Sequence, residues 1–373
     1  MRTVFLTIVG GLAVVGLGDP LEPRLAAAGD ERVQVGWNAA ILRHPPDWYA
    51  SPDARSIADN VLRYQSPHGA WPKNTDLASP PASEDALAAA HGGPEANTID
   101  NDATTMPIRF LARMTEATGD ARYRAAAERG LDYLLAAQYA NGGWPQYYPL
   151  REGYYSHITF NDNAMINVME VLRDVRDRVA PFAFVDEGRR ARAAAAVERG
   201  VGIVLRTQVR QDGRLTAWCA QHDEKTLEPA WARNYEPPTL SGSETVGIVR
   251  YLMSIERPSP DVVASIEGAV GWLGRVAIAG LRLEEFTNTA GARDRRVVPD
   301  PAAPPLWARF YDLRTNRPVF TGRDRVIRHA LHEVEHERRI GYAYYGTWPA
   351  RLLEEHPRWR AARQARALRA APH

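Results

Sequence analysis

Two clusters of oxygen-bearing side chains in this chain follow one plan. TIDNDATT (98–105) sets Asp100, Asn101 and Asp102 in consecutive positions, and 61 residues later TFNDNAMI (159–166) sets Asn161, Asp162 and Asn163. Carboxylate and amide oxygens are hard ligands of the kind calcium takes, and two convergent clusters would hold such an ion with positions left for water and substrate. Each cluster stands just ahead of a helical pattern, so helix capping by Asp or Asn is the competing explanation. SGSE at 241–244 shows the capping-box spacing with Ser241 and Glu244. Capping uses one residue per helix and leaves the rest of each cluster unaccounted for. A helix N-terminus favours anions, so a cation placed there needs more than one carboxylate nearby. No glycine follows where an EF-hand requires one.

A second chemistry is written at HEVEH (332–336). On a helix His332 and His336 would face the same way, with Glu333 placed as a base and Glu354 or Glu355 as a third ligand, the pattern of a zinc peptidase. The surrounding RVIRHALHEVEHERR is charged all round, which is how a solvated helix reads. Cys219 and His222 are three positions apart, a common accident, and no nucleophile triad order is present. Arginines stand among aromatics: Arg233 in ARNYEPP, Arg309 in WARFYD and Arg323 in FTGRDR. A guanidinium forks onto a carboxylate, so an acidic sugar is a natural partner, while covering the edge of a core is the plain alternative. Tryptophans next to Gly or Pro, as in GAWPKN and GGWPQYYP, read mostly as core plugs closing helix pairs.

The elements that must position these groups repeat. ERGLDYLLAAQYANGGWP (128–145) and ERGVGIVLRTQVRQDGRL (198–215) share Glu-Arg-Gly, an apolar run at helical spacing, a glutamine and a glycine-bearing turn, and IADNVLRYQSPHGAWPKN (57–74) has the same ending. Gln65, Gln138 and Gln208 are therefore 73 and 70 residues apart. After each turn comes a loop opening on threonine and then another amphipathic helix. Repeated helix pairs predict a mostly helical protein with minor β structure, a partial α/α toroid whose loops converge on a central groove. Segments 76–97 and 287–306, rich in Pro, Gly, Ala and charge, read as long loops. Residues 363–373 form a basic tail.

The 373-residue chain balances 46 basic against 45 acidic residues, a net charge of +1 that argues against a nucleic-acid binder. One cysteine excludes an intramolecular disulfide framework. Residues 1–28 carry an apolar run too short for a membrane span, followed by alanines that suit cleavage, and read as a signal peptide. The expectation is a secreted or periplasmic monomer, free of the membrane after processing, with one domain over residues 29–362.

TIDNDATT, GLDYLLAAQYANGGWPQYYPLREGYYSHITFNDNAM, WCAQHDEKTLEPAWARNYEPPTLSGSE, APPLWARFYDLRTNRPVFTGRD and ERRIGYAYYGTWP together resemble the family 10 polysaccharide lyases, secreted bacterial pectate lyases, over about residues 33 to 360. The resemblance implies a partial α/α toroid that cleaves polygalacturonate by calcium-assisted anti β-elimination. It carries the acidic, calcium-organising positions onto Asp100 and Asp162, and puts Asn101 beside the substrate. Arg233 matches the family's base; Arg309 and Arg323 match arginines that hold galacturonate carboxylates, with Lys73 a further contact. The family pattern has no fixed histidine pair at 332–336, which turns HEVEH into drift on an exposed helix. A zinc peptidase and a non-catalytic acidic-glycan binding protein remain the alternatives.

Overall fold

Three glutamine-bearing turns fold alike because each solves the same hydrogen-bonding problem. In the computed structural model, which describes residues 36–370, Gln65 ends helix α1 (Pro52–Tyr64) and its amide donates to Gly69 O and to Ala126 O in the next repeat, at 2.8 and 2.9 Å. Gln138 donates to Gly142 O and Ala196 O, and Gln208 to Thr216 O and Ser265 O. One amide thus satisfies its own turn and the carbonyl of a helix about sixty residues on, joining consecutive repeats without water. Trp71, Trp144 and Trp218 are fully buried, and each indole N–H donates back to a carbonyl of the preceding helix, Val61, Leu134 and Val204. They are the plugs expected from the sequence.

The Glu-Arg-Gly motif follows from the same packing. A Cβ on Gly130 would lie 2.6 Å from Ile108 and 3.0 Å from the Trp71 ring, and one on Gly200 would lie 3.0 Å from Met169 and 3.3 Å from the Trp144 ring. Only glycine lets the next repeat's helix approach the indole.

The remaining helices are α2 (Glu84–Gly92), α3 (Thr105–Thr118), α4 (Ala121–Ala136), α5 (Ala164–Arg176), α6 (Glu187–Thr207), α7 (Glu244–Met253), α8 (Pro260–Arg275), α9 (His336–Gly341) and α10 (Pro349–Ala370). α3 packs on α4, α5 on α6 and α7 on α8. The architecture is mostly helical with little sheet, a partial toroid in which no barrel closes. Helices α1, α2, α4, α6 and α8 start on side-chain caps: Ser51, Ser83, Asp120, Asp186 and Ser259 each accept a first-turn N–H. α3 and α5, which start at the acid/amide clusters, have no such cap. Among the described residues no helix is long and apolar enough to cross a membrane. The segment read as a signal peptide lies outside the described residues.

Three expectations change. Segment 76–97 contains α2, held by the Ser83 cap, because its alanines favour helix once a cap starts it. Segment 287–306 contains the return strand of an antiparallel hairpin, Leu281–Thr287 with Arg293–Pro299, laced by Glu285 to Arg293 and Arg295 and by Glu284 to Arg296. HEVEH is not on one helix. A 3-10 turn covers Leu331–Glu333, Val334 and Glu335 are extended, and α9 begins only at His336. Glu333 accepts from the Ala330 N–H and His336 bonds Arg293 O, so no metal-binding face forms.

Candidate active site

Each loop opening is held to the following repeat, by the threonine hydroxyl in the first and by backbone pairing in the other two. Thr98 is buried with its hydroxyl donating to Gln146 O at 2.7 Å, Ile158–Thr159 pairs with Gln221–His222, and Leu240–Ser241 pairs with Phe310–Tyr311. The chain then turns left-handed at two residues in each acid/amide cluster: Asn101 and Asp102 at φ 50° and 57°, Asp162 and Asn163 at 49° and 61°. Asn and Asp tolerate that region better than other side chains, so part of the doubled motif is a backbone requirement. Capping is not its purpose: neither three-residue turn uses a side chain to cap the helix that follows.

The turns bring the two clusters together. Asn167 on α5 donates to Asp102 Oδ1 at 2.6 Å, and the Asp100 charge is felt at Asp162. Asp100 is buried and accepts from Lys73 Nζ and from Gln146 Nε2, both at 2.8 Å. Asp162 accepts from Arg309 Nη2 at 3.0 Å, and the same nitrogen donates to the buried carboxylate of Glu244. The Ser241 hydroxyl accepts the Ser243 and Glu244 N–H groups, as a capping box would have it. Glu244 departs from the box, accepting from the Ser241 hydroxyl and Arg309 while the Ser241 N–H bonds Trp218 O. The third repeat therefore contributes an acid to the site as well as the Ser241 hydroxyl that receives the first N–H of α7.

Arg309 and Arg233 flank one ring. Their guanidinium carbons lie 5.1 and 6.0 Å from the centre of the Tyr342 ring, whose hydroxyl donates to Glu236 Oε1 at 3.0 Å. Arg233 donates through Nε and Nη2 to the two oxygens of Glu236. Burial pulls the Arg233 guanidinium down, but this bidentate pair overrides it and holds the group well above its ordinary value. Asp162 is pushed above the usual carboxylate range by burial, opposed by Arg309 and reinforced by Glu244 and Asp100. Burial likewise lifts the Tyr342 hydroxyl well above its ordinary value.

The other expected contacts spread outward. Asn101 is exposed beside Lys73 in a cavity of about 490 Å³ that also includes Trp37, Asn74 and Asp76. Arg323 is exposed and paired bidentately with Glu337, yet its guanidinium faces the Tyr235 ring at 5.7 Å, joined there by Arg233 at 4.9 Å and Arg338 at 4.7 Å. Lys73 with Asp100 and Arg309 with Asp162 are two ion pairs on adjoining loops, with Arg233 beside Arg309 at Tyr342 and Arg323 at the rim. Glu236, Glu244, Gln146, Tyr342 and Arg338 were not expected from the sequence. The clue for Glu244 is its place in the third threonine loop, and for Glu236 its spacing of three from Arg233. Cys219 is buried, its thiol pushed up by burial, and His222, pushed down to about 4, accepts the Cys219 N–H rather than the thiol proton. This pair is structural.

The donor set fits a hard cation. Asp100, Asp162 and Glu244 supply three carboxylates against the two cations Lys73 and Arg309, and the buried Gln146 Oε1 has no hydrogen-bond partner. These three acids do not form a closed cage: among the described residues only His157, Asp223 and Glu224 bring three such ligand atoms within 4.8 Å of one another. An ion in the cleft would complete its shell with amide oxygens, water or substrate.

Residues 65–353 match the family model described as pectic acid lyase. The family 10 polysaccharide lyase from Cellvibrio cellulosa is similar in structure at a TM-score of 0.72 and 34% identity, over 84% of this chain and 96% of that one. An aspartate-to-alanine mutant of that enzyme in complex with trigalacturonic acid matches at 0.72 and 33%, over 84% and 97%. No curated protein sequence matches. Three threonine loops converging on a cluster of acids and arginines, a family model covering most of the chain and a structural match at this identity agree: the chain belongs to the pectic acid lyases of polysaccharide lyase family 10, enzymes that act on pectate.

Proposed function

We propose that this pectate lyase cleaves polygalacturonate by anti β-elimination, with Arg233 as the base that takes the C5 proton. The reading rests chiefly on one observation: Arg309, tied to Asp162 and Glu244, and Arg233, tied to Glu236, lie against the same Tyr342 ring. In the reaction the C5–H pair becomes the C4–C5 double bond as the C4–O bond breaks. The departing oxygen, which stays on C1 of the neighbouring residue, takes a proton from water and becomes the anomeric hydroxyl of a new reducing end, while the unsaturated residue becomes the new non-reducing end.

The C5 proton is poorly acidic because the neighbouring C6 group is an ionised carboxylate. Asp100 and Asp162 would hold calcium, whose chemistry when bound is to neutralise that carboxylate and favour the enolate-like charge. Lys73, Asn101, Arg309 and Arg323 bind galacturonate carboxylates and hydroxyls, the arginines by two-point contact. Arg233 keeps Nε and Nη2 on Glu236, which leaves Nη1 for the substrate. Proton abstraction needs its neutral form, so the reaction should speed up into the alkaline range. A polymeric substrate found outside cells suits export directed by residues 1–28. The groups described carry no zinc-peptidase arrangement at 332–336.

The test follows ultraviolet absorbance of the unsaturated uronide during digestion of polygalacturonate, with and without EGTA. Absorbance that grows with calcium and stops with EGTA supports the proposal. New reducing ends without absorbance would mean hydrolysis and overturn it; absorbance insensitive to EGTA would remove calcium from it.

A further inference from the structure

We propose that His157, Asp223 and Glu224 form a second metal site, for a zinc-like divalent transition ion, separate from the acid cluster of the cleft. The three side chains offer one imidazole nitrogen and two carboxylate oxygens, all within 4.8 Å of one another. His157 Nδ1 already meets Glu224 Oε2 at 3.2 Å. Zinc bound by one nitrogen and two oxygens has bonds of about 2.0–2.2 Å, which puts tetrahedral ligands about 3.4 Å apart. Closing from the present spacing is a side-chain adjustment, with a fourth position left for water.

The backbone beneath this trio is set by hydrogen bonds rather than by the trio. Ile158 pairs with His222 across an antiparallel ladder, so His157 and Asp223 stand opposite each other one step beyond it. The Asp223 N–H donates to Glu228 O and the Leu227 N–H returns to Asp223 O, at 2.9 Å each. Asp223 Oδ1 takes the Lys225 and Thr226 N–H groups, and Glu224 O takes Asn141 Nδ2 at 2.7 Å. Preorganised ligands of this kind lose little freedom on binding an ion.

Charge points the same way. In a chain where arginines hold most site carboxylates, neither Asp223 nor Glu224 is ion-paired with lysine or arginine among the described residues; Glu224 meets His157 through Oε2 and only the neutral Ser156 hydroxyl, at 3.5 Å, through Oε1. His157 and Glu224 side chains are 18% and 19% exposed, open to an ion yet sheltered. The HEVEH pattern, which has a zinc signature, gathers no such cluster, whereas this trio has none in sequence because its members come from two segments. Bound metal would clip the 150–157 loop, with Tyr154 beside Arg233 and Glu236, to the turn that leads into Arg233. Calcium in the cleft is a separate matter, and either claim can fail alone.

The experiment titrates Zn²⁺ into calcium-free full-length protein by calorimetry, with thermal melting in parallel, for the unmutated chain, His157→Ala, Glu224→Gln and Asp162→Asn. One equivalent should bind and raise Tm; either site variant should weaken it by about tenfold or more, while Asp162→Asn leaves it unchanged. Zinc X-ray absorption on the unmutated chain, independent of whether the variants fold, should show a single imidazole among oxygens. No binding, binding lost only in Asp162→Asn, two imidazoles, or an oxygen-only shell would each overturn the proposal.

Discussion

Arg309 and Asp162, 147 positions apart in the chain, meet at 3.0 Å, and the Arg309 nitrogen that makes this contact also serves the buried Glu244. Their pairing joins the 306–311 segment to the second acid/amide loop and so builds the cleft as well as binding in it. Removing the guanidinium leaves the buried Glu244 carboxylate without its cation. Arg309→Ala should therefore lose about 3–5 kcal/mol of folding stability, measured by urea denaturation, besides its loss of activity. A loss below about 1 kcal/mol, the worth of a surface pair, would show that the contact does not organise the site.

Arg233 and Glu236 set the pH response. Glu236 stabilises the charged guanidinium, and the reaction needs the neutral one, so the rate should climb as pH rises toward the Arg233 pKa. Glu236→Gln removes the negative charge, lowers that pKa and should move the alkaline limb of the kcat profile to lower pH. An unmoved limb, or one moved upward, would take the base assignment away from Arg233.

Asp162 is held in a state that costs the fold. Its carboxyl lies above the usual range although the side chain is 42% exposed, so the ionised form is somewhat less favourable in the folded chain than in the unfolded one. In calcium-free solution near neutral pH, Asp162→Asn should melt at or above the temperature of the unmutated chain while its activity collapses. A clear fall in Tm would mean that the Arg309 contact outweighs burial.

Helix packing makes its own prediction. Gly130 faces the Trp71 ring and Ile108, whereas nothing lies within 4 Å of a Cβ at the exposed helical Gly274. Gly130→Ala should cost about 1–3 kcal/mol through overpacking, and Gly274→Ala should gain up to about 1 kcal/mol from helix propensity. Equal effects in thermal melts would contradict the packing account of the Glu-Arg-Gly repeat.

The repeat was legible because its hydrogen bonds and plugs are local and recur: Gln65, Gln138 and Gln208, with Trp71, Trp144 and Trp218, announce one turn written three times. The doubled acid/amide loops were legible for the same reason. Glu236 and Glu244 were hidden because their roles depend on partners brought in by folding, and an acid three residues from an arginine or from a serine has many plain explanations. HEVEH misled because five residues at helical spacing do not make a helix when Val334 and Glu335 stay extended. The 287–306 strand was missed because its charges read as solvated loop, although they pair across the hairpin.

The most direct test of the central claim compares Arg233→Ala with the unmutated chain on polygalacturonate in calcium, following unsaturated product and the binding of trigalacturonic acid. The prediction is a fall in kcat of at least about 10²-fold with affinity for the trimer little changed. Retained turnover in Arg233→Ala would contradict the account.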